Sequence, residues 1–118
     1  DPISVVILKK NLELIHVVQK IITFSNGKEA LAYFNKEYHS KDEYVIFLDI
    51  NMPQMNGWDF LNEIEPFVAK QNTIIFLLTS SLNKQDMDKA TQFSLIEKYL
   101  SKPISKEMLT EIKEKFID

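Results

Sequence analysis

The sequence predicts an α/β fold, a doubly wound parallel sheet with helices on both faces. Two continuous apolar runs of strand length, 44–48 and 74–78, are typical of strands that are buried on both sides. Candidate amphipathic helices alternate with the strands along the chain, and this alternation indicates βαβ crossovers. A length of 118 residues suits one domain with a single sizeable core.

The composition narrows the range of functions. A formal net charge of -3, with 14 lysines and no arginine, argues against nucleic-acid binding and leaves lysine to meet any phosphate. The absence of cysteine removes disulfides and thiolate metal sites. No apolar run approaches the ~20 residues of a membrane span and no signal-peptide pattern is present, so we expect no membrane association and a cytoplasmic location.

The N-terminal segment, residues 2–18, is apolar and admits two interpretations. Pro2 directly after Asp1 suits the first turn of a helix. The β-branched cluster at 4–7 also permits a strand. These residues alone do not decide between the two.

The later elements are clearer. A short strand at 20–24 ends at the turn pair Asn26-Gly27, and the helix after it has inward positions Ala30, Leu31 and Phe34. In chain order there follow a strand at 44–48, a helix at 58–70 that Pro66 should kink or shorten, a strand at 74–78, a helix at about 84–93, a strand at 96–100 and an amphipathic helix capped by Ser105.

Polar side chains follow three of the predicted strands. Asp49 comes after the strand at 44–48, Thr79 and Ser80 come after the next, and Lys102 follows the last. Each residue alone has an ordinary structural explanation, as a loop acid, a helix cap or a surface lysine. Because the carboxyl ends of parallel strands meet at one edge, the set predicts a site there. A nucleophilic carboxylate needs such a cation and hydrogen-bond donor to stabilise the charge that reaches it.

These motifs resemble the receiver domain of two-component response regulators over the whole chain, 1–118. The stretch 26–31 resembles the family's turn into its second helix, and Asp49 with the M-P-x-M-N-G pattern of 52–57 resembles its phosphoacceptor motif. Lys102, which precedes a proline, stands at the spacing of the family's lysine. Thr79 and Tyr99 likewise match the spacings of its switch hydroxyl and switch aromatic. The resemblance implies a flavodoxin-like fold.

One part of the family pattern is missing. Receivers normally open with a central strand that ends in a pair of acids, whereas residues 1–3 resemble the start of the helix that follows it. We therefore expect an N-terminally truncated receiver domain, with a cleft where the first strand would lie. A competing placement makes 3–8 the first strand and puts Lys9 and Lys10 where the acids should be. It leaves only about ten residues for a helix of three to four turns, and is disfavoured.

The resemblance implies that Asp49 accepts a phosphoryl group from a sensor histidine kinase or a phosphotransfer protein. A Mg²⁺ ion would bridge the two anionic groups, with the Asp49 carboxylate and the Asn51 backbone carbonyl among its ligands and the missing acid pair supplying the rest. Lys102 would pair with the phosphoryl oxygens. Thr79, or Ser80 as the alternative, would donate its hydroxyl to the phosphoryl group, and Tyr99 would turn inward as Thr79 moves.

The implied role is a signalling domain and not an enzyme. Its output surface would be the face formed by 84–117, toward a downstream protein or an output domain, and homodimerisation is left open. Asn51 and Ser81 occupy positions that tune loss of the phosphoryl group in this family. Since neither is a carboxylate, we expect a moderate or long lifetime of the phosphorylated state.

Two other functions compete with this interpretation. The first is a receiver-like interaction module without phosphotransfer, which Mg²⁺-dependent quenching of Trp58 would distinguish. The second is an aspartate-nucleophile phosphohydrolase. Such an enzyme expects a second acid two residues after the nucleophile, and this chain has Asn51 there.

Overall fold

The computed structural model describes residues 3–12, 15–51, 55–66, 68, 72–80 and 83–117. The elements in chain order are β1 Ile3–Leu12, β2 Ile15–Phe24, α1 Gly27–Glu37, β3 Glu43–Asp49, α2 Gly57–Ile64, β4 Thr73–Thr79, α3 Lys84–Ala90, β5 Ile96–Ser101 and α4 Lys106–Phe116. Among the described residues, none of the helices has the length and apolar character that crossing a membrane requires.

The strands form one five-stranded sheet in the spatial order β1-β2-β3-β4-β5. The pairs β2–β3, β3–β4 and β4–β5 are parallel, and β1 is antiparallel to β2 at the edge. Helices α1, α2 and α3 pack on one face of the sheet, and α4 packs on the other. The prediction of a doubly wound, flavodoxin-like α/β fold is confirmed.

The favoured placement, in which residues 1–3 begin a helix, is wrong for the described part of residues 2–18. These residues instead form β1 and the start of β2, and the two strands pair from Ile3 opposite Phe24 to Leu12 opposite Ile15. Cross-strand pairing of β-branched residues, such as Val6 opposite Ile21, favours the extended conformation over a helix. The competing strand at 3–8 had the right conformation, but β1 lies at the edge of the sheet and Lys9 and Lys10 lie inside the strand.

The expected cleft in the sheet is not formed. Residues Gln19–Phe24 of β2 pair directly with Glu43–Leu48 of β3. Direct pairing satisfies backbone groups that an open gap would leave without partners. One edge of the sheet is then β1, whose Val5, Val6 and Ile7 are 36%, 55% and 55% exposed.

Local sequence signals account for the other boundaries. Asn26 caps α1 by accepting hydrogen bonds from the backbone N–H groups of Lys28 and Glu29, and Ser105 caps α4 through Met108 N–H. Helix α2 ends at Ile64, earlier than the predicted residue 70, and Pro66 follows it. Helix α3 likewise ends at Ala90, before the predicted residue 93.

The sheet separates two hydrophobic clusters. The first cluster packs α1, α2 and α3 against β2, β3 and β4, and includes Phe24, Phe34 and Phe60, all fully buried. The second cluster lies beneath α4, where Ile112 contacts the opposite side of β3, β4 and β5. Successive residues of β3 serve the two clusters alternately, as strand geometry requires. The polar side chains at the strand ends are thereby held between two packed layers.

Candidate functional site

The site is built at the carboxyl edge of the sheet, where β3 and β5 end. Asp49 is the last residue of β3, and Lys102 directly follows β5. The Lys102 ammonium donates to Asp49 Oδ2 in an ion pair. The backbone N–H of Lys102 donates to the carbonyl of Thr79 at 2.7 Å, which fastens the end of β5 to the end of β4. The peptide bond from Lys102 to Pro103 is cis.

The second oxygen of the Asp49 carboxylate is held by its own loop. The backbone N–H of Asn51 donates to Asp49 Oδ1 at 2.9 Å. The Lys102 ammonium and the Asn51 amide thus each hold one oxygen of the carboxylate. The Asp49 side chain remains 21% exposed and that of Lys102 41%, so both can be reached from solvent.

Gly57 closes the loop that follows Asp49. Its N–H donates to the carbonyl of Ile50 at 3.0 Å. A Cβ at position 57 would lie 2.8 Å from Ile50 Cα and 3.3 Å from the Asp49 carbonyl oxygen. The close backbone approach therefore requires glycine here, in line with the sequence motif.

Thr79 and Tyr99 lie together beside this site, while Ser80 does not join them in the interior. Thr79 is 2% exposed at the end of β4, and Ser80 is exposed. The Tyr99 hydroxyl is buried and makes no hydrogen bond of ordinary geometry within the described part of the chain. Burial raises the pKa of Tyr99, the Thr79 hydroxyl opposes that shift, and the nearby Asp86 carboxylate adds to it. The Tyr99 ring therefore points its hydroxyl toward Thr79 and α3.

Asp86 is a site neighbour that the sequence prediction missed. It lies in the first turn of α3, where its N–H donates to Asn83 Oδ1 at 2.8 Å and its Oδ2 accepts from Asn83 Nδ2 at 2.9 Å. The Asn83-x-x-Asp86 spacing is a capping pattern that could have placed it in this turn. Its proximity to Tyr99 depends on the packing of α3 against β5, which the local sequence does not encode.

Two of the described residues carry oxygen atoms of the kind that Mg²⁺ prefers. The Asp49 carboxylate and the Asn51 carbonyl are hard oxygen donors on one short segment. Within the described ranges, no group of three or more His, Cys, Asp or Glu residues could hold a metal ion. Mg²⁺ commonly keeps several waters and takes one or two carboxylates, so these donors fit a site completed by other oxygens. Asp1, Met52, Pro53 and Ser81, which the sequence singled out, lie outside the described residues.

A groove on the predicted output face lies between α3 and β5. It has a volume of about 180 Å³, and its lining includes Met87, Ala90, Ile96 and Tyr99. Met87 is 47% exposed, which is high for a large apolar side chain. The groove shares Tyr99 with the site, so a change at Tyr99 would reach this surface.

The class of protein follows from comparison with known families. The sequence model of the response regulator receiver domain matches residues 1–114. The chain therefore belongs to the family of response regulator receiver domains. These are signalling domains of two-component systems, whose members generally bind Mg²⁺ at the phosphorylation site and act together with histidine kinases.

Individual relatives agree with this assignment. The chain is 31% identical over 107 residues to the transcriptional regulatory protein FlgR of Helicobacter pylori, covering 88% of this chain and 25% of that protein. It is 29% identical over 92 residues to the sensor histidine kinase CheAY of the same organism, covering 78% and 11%. The chain thus spans about a quarter or less of these relatives.

Solved structures show the same fold. A two-component response regulator from Cytophaga hutchinsonii is 30% identical with a TM-score of 0.63, covering 76% of this chain and 70% of that one. The chemotaxis protein CheY4 of Vibrio cholerae is 27% identical with a TM-score of 0.59, covering 75% and 70%. Both likenesses support the receiver fold that the strand order and helix placement define.

Proposed function

We propose that residues 1–118 act as the phosphoacceptor receiver of a two-component phosphorelay, with Asp49 as the residue that is phosphorylated. The observation that carries the proposal is the ion pair between Asp49 and Lys102, formed where β3 and β5 end. A carboxylate that is partly exposed and has an ammonium beside it suits a site that receives an anionic group from outside. The family membership supports the same reaction.

In the proposed reaction, an Asp49 carboxylate oxygen attacks the phosphorus of a phosphohistidine on a sensor histidine kinase or a phosphotransfer protein. The new O–P bond forms as the N–P bond breaks, and the imidazole nitrogen leaves with its electron pair. The Asn51 N–H orients the carboxylate by holding Oδ1. Lys102 shifts from the carboxylate to the phosphoryl oxygens, where its charge stabilises the transferred group.

Mg²⁺ is the proposed cofactor. When bound, the ion would reduce the repulsion between the carboxylate and the incoming phosphoryl group. Asp49 and the carbonyl of Asn51 would hold it, with further oxygens completing the octahedron. This assignment rests on the chemistry of the two donors and on the Mg²⁺ binding that is general in the family.

The proposed switch runs from Thr79 through Tyr99 to the face formed by 84–117. The Thr79 hydroxyl would donate to a phosphoryl oxygen, with Ser80 as the alternative donor. Tyr99, whose hydroxyl already points toward Thr79 and α3, would couple this change to the groove beside Met87. The partner at that face would be a downstream protein or an output domain. We propose a cytoplasmic signalling role without enzymatic turnover of a substrate.

The test is the intact mass of the chain after incubation with acetyl phosphate and Mg²⁺. We expect a gain of about 80 Da that disappears in Asp49→Asn. Asp59→Asn is a matched control, because Asp59 is an exposed acid on α2 close in sequence to the same loop. A folded wild-type chain that gains no mass would contradict the proposal and favour the interaction module.

A further inference from the structure

We propose that Gly27 is a positioning residue for the phosphoacceptor, acting through a backbone contact between α1 and the loop after Asp49. The described residues of this loop, 50–51 and 55–56, are called the phosphoacceptor loop below. The inference rests on the proposed function of Asp49 and adds to it a residue that lies in a different helix.

The contact is unusually close. Gly27 is buried at the start of α1, and a Cβ there would overlap the carbonyl oxygen of Met55 and lie 2.7 Å from the carbonyl carbon. Only a hydrogen atom fits between these two backbones. The glycine is not needed for its backbone conformation, because neither glycine has a positive φ. Close approach to the phosphoacceptor loop is therefore what the residue provides.

The distribution of glycines supports the same conclusion. The chain contains only two glycines, Gly27 and Gly57, and both lie against the phosphoacceptor loop or the Asp49 backbone. Gly57 closes the loop against Ile50, and Gly27 supports it from outside at Met55. Two helix N-termini thus approach the same loop at distances that a side chain would forbid.

Helix α1 is a firm support for this contact. Asn26 Oδ1 caps its first turn by accepting from Lys28 N–H at 3.0 Å and Glu29 N–H at 3.2 Å. Further along, Phe34 is fully buried, and its ring lies 6.1 Å from that of Phe60 on α2. Added bulk at position 27 would therefore displace the loop more readily than the helix.

A displaced loop would affect Asp49 directly. The loop carries Asn51, whose N–H holds Asp49 Oδ1, and whose carbonyl is the second proposed oxygen donor for Mg²⁺. Movement at Met55 would reach Gly57, two residues further along, whose N–H donates to the Ile50 carbonyl at 3.0 Å. From Ile50 the movement would reach Asn51 and misorient the carboxylate. A misplacement of about 1 Å can slow a reaction by roughly a hundredfold.

The experiment compares Gly27→Ala with two controls. Lys28→Ala changes an exposed side chain in the same turn, and Ile112→Val removes one buried methyl group on the opposite face of the sheet. We measure the rate of mass gain with acetyl phosphate and Mg²⁺. We also measure hydrogen exchange at the amides of Asn51 and Gly57, which report on the loop without phosphorylation. Unfolding by urea identifies any general loss of stability.

We expect Gly27→Ala to slow phosphorylation by roughly tenfold to a hundredfold. It should also accelerate exchange at both loop amides more than at amides of β4. The two controls should phosphorylate at close to the wild-type rate. A rate for Gly27→Ala within about threefold of Ile112→Val, after correction for the folded fraction, would overturn the inference, as would unchanged loop exchange.

Two other results remain decisive. If the wild type gains no phosphoryl group, the proposed function fails, and the contact between Gly27 and the loop is judged by hydrogen exchange alone. If Gly27→Ala does not fold, Asn26→Ala loosens the first turn of α1 without adding bulk. Loop exchange that is unchanged in Asn26→Ala would then refute the supporting role of α1.

Discussion

Removing the ammonium of Lys102 should slow phosphorylation of Asp49 strongly while changing the stability of the fold only slightly. Lys102→Met retains a flexible unbranched side chain but removes the charge next to Asp49. The pair is open to solvent, with side-chain exposures of 41% and 21%. Exposed ion pairs typically contribute about 0–1 kcal/mol to folding, so the free energy of unfolding should change by less than about 1 kcal/mol.

The effect on phosphorylation should be much larger. A hydrogen bond to a charged group contributes about 1.5–3 kcal/mol when its partner is left unpaired. Each ~1.4 kcal/mol of lost transition-state stabilisation slows a reaction tenfold. From these magnitudes we expect Lys102→Met to reduce the rate of phosphorylation of Asp49 by about 10- to 150-fold.

The assay is the initial rate of mass gain from acetyl phosphate at saturating Mg²⁺, together with urea unfolding followed by Trp58 emission. Lys106→Met is the control, because Lys106 is an exposed lysine in the first turn of α4. A rate for Lys102→Met within threefold of the wild type would refute the role assigned to the ammonium. A loss of more than about 2 kcal/mol in unfolding free energy would instead show that the pair is structural, contrary to its exposure.

Three further predictions concern stability and the environment of aromatic side chains. Ile112→Ala should lower the unfolding free energy by about 2–5 kcal/mol in urea titrations, because Ile112 is 1% exposed, whereas Leu109→Ala, at 37% exposure, should cost clearly less. Burial raises the pKa of Tyr44 to about 12, so the absorbance change that accompanies ionisation of this tyrosine should occur near pH 12 and not near pH 10. The change near pH 12 should be absent from Tyr44→Phe. Since the unfolded tyrosine ionises near its ordinary pKa of 10.0, this group's contribution to stability should be lost as the pH rises from about 10 to about 12. Lys89→Met should alter Trp58 emission and cost about 0.5–1 kcal/mol, since the Lys89 ammonium lies 5.0 Å from the indole centroid; an unchanged spectrum would contradict that contact.

The sequence was most informative where the signal is local. The apolar runs at 44–48 and 74–78 could be recognised as strands because burial on both faces leaves no room for polar alternation. Once those strands are parallel, their ends must meet, and this places Asp49 and Thr79 at one edge. The ion pair with Lys102 follows from the same geometry, which explains why a contact between distant residues could be anticipated.

The N-terminal segment shows the limit of local signals. Residues 2–18 contain β-branched residues and spacing that suits either a helix or a strand, so the pairing partner decides. Partner choice is a long-range property: β1 pairs with β2, and β2 pairs directly with β3, which leaves no cleft. The contact between Gly27 and Met55 was equally inaccessible, because the turn pattern at 26–27 predicts a helix start but not what the helix touches.

The position of α4 has a consequence for how the molecule opens. It is the only described helix on its side of the sheet, anchored by Ile112, by the Phe116 ring 5.5 Å from that of Phe76, and by Gln19 Nε2 donating to the Phe116 carbonyl. Two cores divided by a sheet can unfold in sequence, and a unit with fewer partners opens at lower free energy. Helix α4 would then be the first cooperative unit to detach, taking with it the segment that starts at Lys102 and leaving the core around α1 and α2 folded. In native-state hydrogen exchange, the amides of α4 should exchange together and faster than those of α1 and α2. A protease should also cut early at a cleavable bond between β5 and α4.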